Sequence, residues 1–263
     1  MSIGRDGGLY GTPHGGSAEL LVPGLGGFDS SGLQALANGH LVLADSESNR
    51  LLEVTLDGAK DTLLGGLAYP NGVTVDMREN VCVAEHDAGR VHRVVPETGA
   101  SSVVAEGLDN PNGLNFDPEY KVLYIGSFGG GSIHQVEIDA EGEASNLRLF
   151  VEGLESDDPG GGSGGGPGGG WGEEGGGIDG LGVDACGNVY ATEYVAAVIW
   201  RITPDGTKEE LLRLSDDSFW IPNLHWGSGY GGWDRQHLYV MDREKNQVYD
   251  IDLGIPGKEE PHL

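Results

Sequence analysis

The feature that most constrains this chain is a hairpin written six times. A short apolar run, a turn of small, polar or glycine residues and a second run recur at Leu9 to Leu21, Leu41 to Val54, Val81 to Val94, Leu123 to Val136, Val189 to Ile202 and Leu238 to Ile251. Each reads as a β-hairpin. Their starts lie 32, 40, 42, 66 and 49 residues apart. Several short strands repeating at about 40–50 residues are the signature of a β-propeller. The expected fold is therefore all-β, a six-bladed β-propeller formed by a single domain over residues 1–263.

A second element precedes five of the hairpins: one polar residue, a short apolar strand, then a turn. It is seen at Ser31 (SSGLQAL), Asn71 (PNGVTVD), Asn112 (PNGLNFD), Asp179 (IDGLGVD) and Asn223 (PNLHWG), spaced 40, 41, 67 and 44 residues apart. A third element, at Leu63–Leu67, Val103–Leu108, Leu149–Leu154 and Leu211–Leu214, is expected to be the outer strand. The first unit has only Met1 to Arg5 for its leading strand, so its blade is expected to be incomplete. Little remains after Ile251 to finish the last one.

Composition explains the long spacing and narrows the partners. Of 48 glycines, 13 lie between Gly160 and Gly177. Such a tract cannot bury a core, and the stretch 157–177 reads as a flexible loop inside the domain. It lacks the Lys-Ser/Thr ending of a phosphate-binding loop. Fifteen Lys and Arg face 42 Asp and Glu, a formal charge of −27. That balance opposes nucleic acid and anionic membranes, because phosphate binding needs cationic side chains. A small molecule is the expected partner; the sequence does not define an oligomeric state. The chain shows neither a secretory signal nor an apolar run of about 18 residues, so a cytoplasmic location is expected as it stands. Cys82 and Cys186 read as two free thiols.

In a propeller, first strands line the channel and begin on the face where second strands end. Ser31, Asn71, Asn112, Asp179 and Asn223 should ring one mouth, with Glu85, His86, Ser127 and Glu193 on the turns beside them. Two Asn carbonyls and an Asp carboxylate suit Ca²⁺ or another hard divalent cation, which takes six to eight oxygen ligands. Asn71, Asn112 and Asp179 are the candidate metal ligands. Ser31, His86, Ser127 and Asn223 are candidate substrate-lining residues. Asn-Gly and Asp-Gly pairs also form turns, so left-handed backbone geometry is the competing explanation for these pairs.

These motifs resemble the regucalcin (senescence marker protein), gluconolactonase and luciferin-regenerating-enzyme family of six-bladed propellers. The resemblance rests on Pro70-Asn71-Gly72, on Pro111 to Asp117, on Ile178 to Asp184 followed by Gly187 to Ala191, and on Tyr230 to Asp234. It implies a divalent cation, usually calcium, held by a Glu, two Asn and an Asp. Asn71 and Asn112 match the two Asn, and Asp179 matches the Asp, which is also proposed as general base. The Glu belongs to the first blade and is not matched here. The implied chemistry is calcium-dependent hydrolysis of a lactone or related ester. A carboxylate, Asp179, Glu193 or Glu85, would accept the proton of the attacking water. The alternatives are a noncatalytic propeller that binds a ligand or protein partner, and a metal-independent enzyme similar to strictosidine synthase.

Overall fold

A computed structural model describes residues 1–3, 6–25, 30–154, 177–214 and 220–261, with the side chains of residues 30 and 31 outside the description. The expected glycine-rich loop, apart from Gly177, lies outside the described residues.

Strands β1 (Ser2–Ile3), β2 (Leu9–Gly11) and β3 (Glu19–Val22) form a small antiparallel sheet. Four four-stranded meanders follow. They are β4 (Ser30–Ala35) to β7 (Lys60–Gly65) through β5 (Leu41–Asp45) and β6 (Arg50–Val54), then β8 (Pro70–Val75), β9 (Val81–Glu85), β10 (Arg90–Val95) and β11 (Ala100–Glu106). The third holds β12 (Pro111–Phe116), β13 (Val122–Ser127), β14 (Ser132–Ile138) and β15 (Ala144–Val151), and the fourth β16 (Ile178–Val183), β17 (Val189–Glu193), β18 (Val198–Ile202) and β19 (Lys208–Arg213). The last sheet is β20 (Leu224–Trp226), β21 (His237–Asp242) and β22 (Gln247–Asp252).

Packing orders the sheets as a propeller. Each of five apolar cores lies between sheets adjacent in sequence. Leu9, Val22 and Leu25 meet Leu41, Leu43 and Leu52. Val42 and Leu51 meet Val75 and Val83, and Ala84 and Val104 meet Phe116 and Ile125. Ile133 and Leu154 meet Leu181 and Ala191, and Tyr190 and Ile199 meet Leu224 and Leu238. The ring closes where His14 touches the last sheet, with ring centroids 5.3 Å from Trp233 and 6.0 Å from Tyr239. Nε2 of His14 also lies 3.2 Å from Oδ2 of Asp250.

The same packing explains what the sequence displays. Second strands β5, β9 and β17 are buried along their whole length, so they read as unbroken apolar runs. Outer strands carry an exposed N-terminal half, and β15 is exposed over its first six residues. They start earlier than their apolar residues indicate: β7 at Lys60, β11 at Ala100, β15 at Ala144 and β19 at Lys208.

The expected six blades are modified in two places. Among the described residues four sheets carry all four strands of the repeat and a fifth blade carries three, whereas the N-terminal sheet is partial, its leading strand reduced to Ser2–Ile3 paired with Tyr10 and Leu9. The last sheet has three strands, and the chain after it turns beneath the channel instead of adding a fourth. Ala185 N donates to Pro256 O at 2.9 Å and Lys258 N to Val183 O at 3.0 Å. Trp226 Nε1 donates to Ile255 O at 3.0 Å, and Lys258 Nζ reaches Tyr120 OH at 2.7 Å. This strap ties three blades together on the face opposite the candidate site.

Cys82 and Cys186 are free thiols, one buried and one exposed, and burial pushes the Cys82 thiol up to about 12. Among the described residues no helix is long and apolar enough to cross a membrane.

Candidate functional site

The site begins with a break in strand pairing. β8 pairs with β9 at Pro70–Glu85 and resumes at Val73–Val83, β12 pairs with β13 at Pro111–Ser127 and resumes at Leu114–Ile125, and β16 pairs with β17 at Ile178–Glu193 and resumes at Leu181–Ala191. The same shift occurs in β4 between Ser30 and Leu33. Each bulge spans the marked polar residue and its glycine. A bulge takes residues out of the ladder and re-aims their side chains.

The glycines show where they are aimed. A Cβ on Gly72 would stand 2.1 Å from the Asn112 carbonyl oxygen, and one on Gly113 would stand 2.1 Å from that of Asp179. Gly32 lies against the Asn71 carbonyl, 2.4 Å from an added Cβ, and Gly180 against the Asn223 Cα at 2.7 Å. Ser31, Asn71, Asn112, Asp179 and Asn223 therefore follow one another around the channel, backbone against backbone. Gly32, Gly72, Gly113 and Gly180 are absent from the described positive-φ residues, so close approach, not left-handed geometry, requires them.

Asn112 is buried, Asn71 and Asp179 half-buried. Burial pushes the Asp179 carboxyl up to about 8, against the lowering effect of the Arg243 charge and of a hydrogen bond from Asn112. Beside this pair, Ser127 Oγ is fully buried and has no hydrogen-bond partner among the described residues. The described residues contain no group of three His, Cys, Asp or Glu placed to share a metal. The donors at the mouth are instead one carboxylate, two amide carbonyls and an orphaned hydroxyl. That set fits a hard cation in its chemistry.

The flanking residues differ in availability. Glu85 is buried at the end of β9, where Ala68 N donates to it at 2.7 Å, His92 Nε2 lies at 2.8 Å, and Arg90 forms a close ion pair. Burial alone would raise this carboxyl, but Arg90, His92 and Ala68 together hold it down to about 2. Glu193, equally buried at the end of β17, accepts from Trp200 Nε1 at 3.1 Å. His86 is buried with Nδ1 2.8 Å from Asp87. Asn223 is exposed just before β20, and its Oδ1 accepts from Leu224 N at 2.9 Å. The side chain of Ser31 lies outside the described residues.

Glu85 yields a prediction independent of catalysis. Arg90→Met should destabilise the fold at pH 7, because it takes one partner from the buried Glu85 carboxylate. Because the folded carboxyl sits below its ordinary 4.5, the stabilisation is present above that value and is lost as pH falls towards 2. Denaturant melts of both proteins at pH 7 and pH 3 should show the difference shrinking in acid.

Arg243 was not among the residues marked by the sequence. Its backbone N donates to Trp220 O at 3.1 Å, and Nη1 donates to Tyr194 OH at 3.2 Å. It follows Asp242 as His86 follows Glu85, and this repeat register was the signal available to find it.

Fold and site together define a β-propeller with an oxygen-lined channel mouth. Residues 93–244, more than half of the chain, match the family model described as SMP-30/Gluconolactonase/LRE-like region, and the chain belongs to that family. A stretch of 90 residues is 34% identical to lactonohydrolase oryH of Aspergillus oryzae, amounting to 34% of this chain and 17% of the relative's length. Among solved structures, a gluconolactonase candidate superposes with TM-score 0.74 at 19% identity, over 97% of this chain and 84% of that one. Luciferin-regenerating enzyme superposes with TM-score 0.66 at 16% identity, over 89% and 81% of the two chains. At these identities the structural likenesses speak for the fold.

Proposed function

We propose that this protein is a cation-assisted hydrolase of a lactone or related ester, acting at the channel mouth of a six-bladed ring whose first blade is partial. The observation that carries the proposal is the convergence of three bulged first strands, bringing Asn71, Asn112 and Asp179 side by side with the Asp179 carboxyl held near 8. Family membership and the lactonohydrolase relative support the same reaction class.

The chain's own residues divide the work. Water adds to the lactone carbonyl, the ring C–O bond breaks, and the products are one carboxylate and one hydroxyl. Asp179 is the first candidate to accept the proton from the water, and a cation held by the same carboxyl would lower its value from about 8. The Asn112 amide, hydrogen-bonded to that carboxylate, orients it. Arg243, anchored by Tyr194, places positive charge beside the centre where negative charge develops on the carbonyl oxygen. Asn71, Asn112 and Asp179 would hold Ca²⁺ or another divalent cation, which supplies Lewis acidity towards the carbonyl when bound. Glu193, opposite Ile178 in the ladder, is the second candidate base. Glu85, held near 2, is too weak a base for this role.

Asn112→Ala should lower kcat/KM for D-glucono-δ-lactone or a comparable aldonolactone at least tenfold with the thermal transition still cooperative. Detectable turnover lost in this variant eliminates the second reading, a noncatalytic ligand-binding propeller.

A further inference from the structure

The strap on the far face touches a particular set of strands. Residues 253–260 leave the last sheet and cross to two neighbours. At the end of β20, Trp226 donates Nε1 to Ile255 O at 3.0 Å. At the end of β16, Val183 O accepts from Lys258 N at 3.0 Å, and the next residue, Asp184, forms an antiparallel bridge with Gly257. Beyond the end of β12, the Tyr120 hydroxyl donates to Glu259 O at 2.7 Å and accepts from Lys258 Nζ at 2.7 Å. The opposite ends of these three first strands carry Asn112, Asp179 and, just before β20, Asn223. Among the described residues no hydrogen bond or ion pair joins the strap to β8, the first strand that carries Asn71.

The latch at the end of the strap strains the backbone. Tyr120 has φ 56°, a left-handed conformation that bulky residues rarely adopt. The turns after β4 and β16 hold glycine at this place, Gly39 with φ 82° and Gly187 with φ 85°. All three donate the backbone N–H to the residue three positions earlier, Asp117, Leu36 and Asp184, so the positions are equivalent. A tyrosine kept where the repeat uses glycine points to a task for its side chain. Its contacts identify the task. The ring stacks on Phe116, the last residue of β12, at 5.6 Å, and Lys258 Nζ stands 4.3 Å from its centroid. The Lys258 side chain is 1% exposed, with Glu260 Oε1 3.1 Å from Nζ. A buried ammonium held by a hydroxyl, a carboxylate and an aromatic face has one place to sit.

We propose that the strap is a positioning device for the mouth and that Lys258 is its locking residue. Resting on the hydrolase reading above, this deepens it by adding a residue that acts on Asn112 and Asp179 from the opposite face. The span is short, because Asp179 and Val183 are four residues apart on one strand, about 13 Å at ~3.3 Å per residue. At the mouth β12 and β16 meet backbone to backbone, Gly113 against the Asp179 carbonyl. A first strand free to tilt at its far end would change the spacing of Asn112 and Asp179 at its near end. Far ends fastened to one segment keep that spacing fixed. An error of about 1 Å between reacting groups can cost about a hundredfold in rate, so this control matters to turnover. The unfastened β8 serves as the internal reference.

The test compares the full chain with Lys258→Met and Tyr120→Phe at a temperature below the melting transition of each. Lys258→Met should lower kcat for D-glucono-δ-lactone about tenfold with KM held within about twofold. Tyr120→Phe, which removes one hydroxyl from the latch and keeps the ring, should act in the same direction by less, and it carries the comparison if Lys258→Met does not melt cooperatively. Amide hydrogen exchange reads the device without substrate. The Gly180 amide, bonded to Thr192 Oγ1 at 2.8 Å, and those of Asn112 and Gly113 should exchange about tenfold faster in the variant, while those of Asn71 and Gly72 keep the parent rate. Faster exchange confined to residues 118–121 and 183–187 with kcat unchanged would overturn the proposal, as would a rise that includes Asn71 and Gly72 equally. If the parent turns over no lactone but exchange quickens at Gly180 and not at Gly72, the hydrolase reading fails and the positioning role of the strap stands.

Discussion

Gly113→Ala is expected to cost about 3 kcal/mol or more and to lower the melting temperature by roughly 6–12 °C, one of the largest effects of a single methyl group in this protein. The added carbon would stand 2.1 Å from the Asp179 carbonyl oxygen, 2.9 Å from Leu181 N and 3.1 Å from the Gly180 carbonyl carbon. All three are backbone atoms of the neighbouring first strand, so no rotamer change relieves the clash. The strands must part, and Asn112 and Asp179 with them. Gly39→Ala provides the contrast. It has φ +82° with nothing within 4 Å of an added Cβ, so only left-handed strain of about 1–2 kcal/mol is expected. A thermal melt of the two variants beside the parent checks the ranking.

Asp179→Asn should reduce lactone turnover at least a hundredfold, the scale of a lost general base, while raising stability at alkaline pH. The sign follows from the carboxyl's elevation. Held near 8, it keeps a proton in the folded chain that the unfolded chain releases near 3.8. Stability therefore declines as pH rises between those values and is lowest above about 8. Asparagine carries no such penalty, so in chelator at pH 8.5 the variant should melt above the parent, and at pH 4 the two should converge. A site that stabilises the protein when its catalytic group is removed is a common mark of function held against stability.

These two residues also show how far the sequence could be read. The hairpins were legible because second strands such as Val81–Glu85 pack on both faces and spell out apolar runs. The outer strands were legible only in part, since residues such as Ala100 to Val103 face solvent and follow no apolar pattern. The strap at Ile255 to Lys258 was not legible. Its proline and glycine read as a tail, whereas Gly257 is small because Trp226 occupies the space, 2.6 Å from an added Cβ.

Within the site, spacing alone identified Asn71, Asn112 and Asp179 as partners, because the repeat period carries each to the same place in successive blades. It left open whether Asn-Gly meant a turn or a ligand. The bulges and the close first strands resolve the backbone part of that choice, and ligand binding by these side chains is the proposal they support. Glu85 was attractive by position, yet Arg90 and His92 on the neighbouring strand occupy it, a pairing set by register across β9 and β10. Arg243 was obscured because Asp242-Arg243-Glu244-Lys245-Asn246 reads as an ordinary charged hairpin turn. Only the fold shows that this turn opens onto the channel mouth beside Asp179.

The most direct test of cation-assisted hydrolysis at this mouth is lactone turnover by the full chain after exhaustive chelation, then after CaCl₂ is restored, with Asp179→Asn carried in parallel. The account predicts that turnover falls on chelation and returns with calcium in the parent, and that Asp179→Asn stays inactive in both states. Turnover that survives chelation, or that Asp179→Asn retains in full, would contradict it.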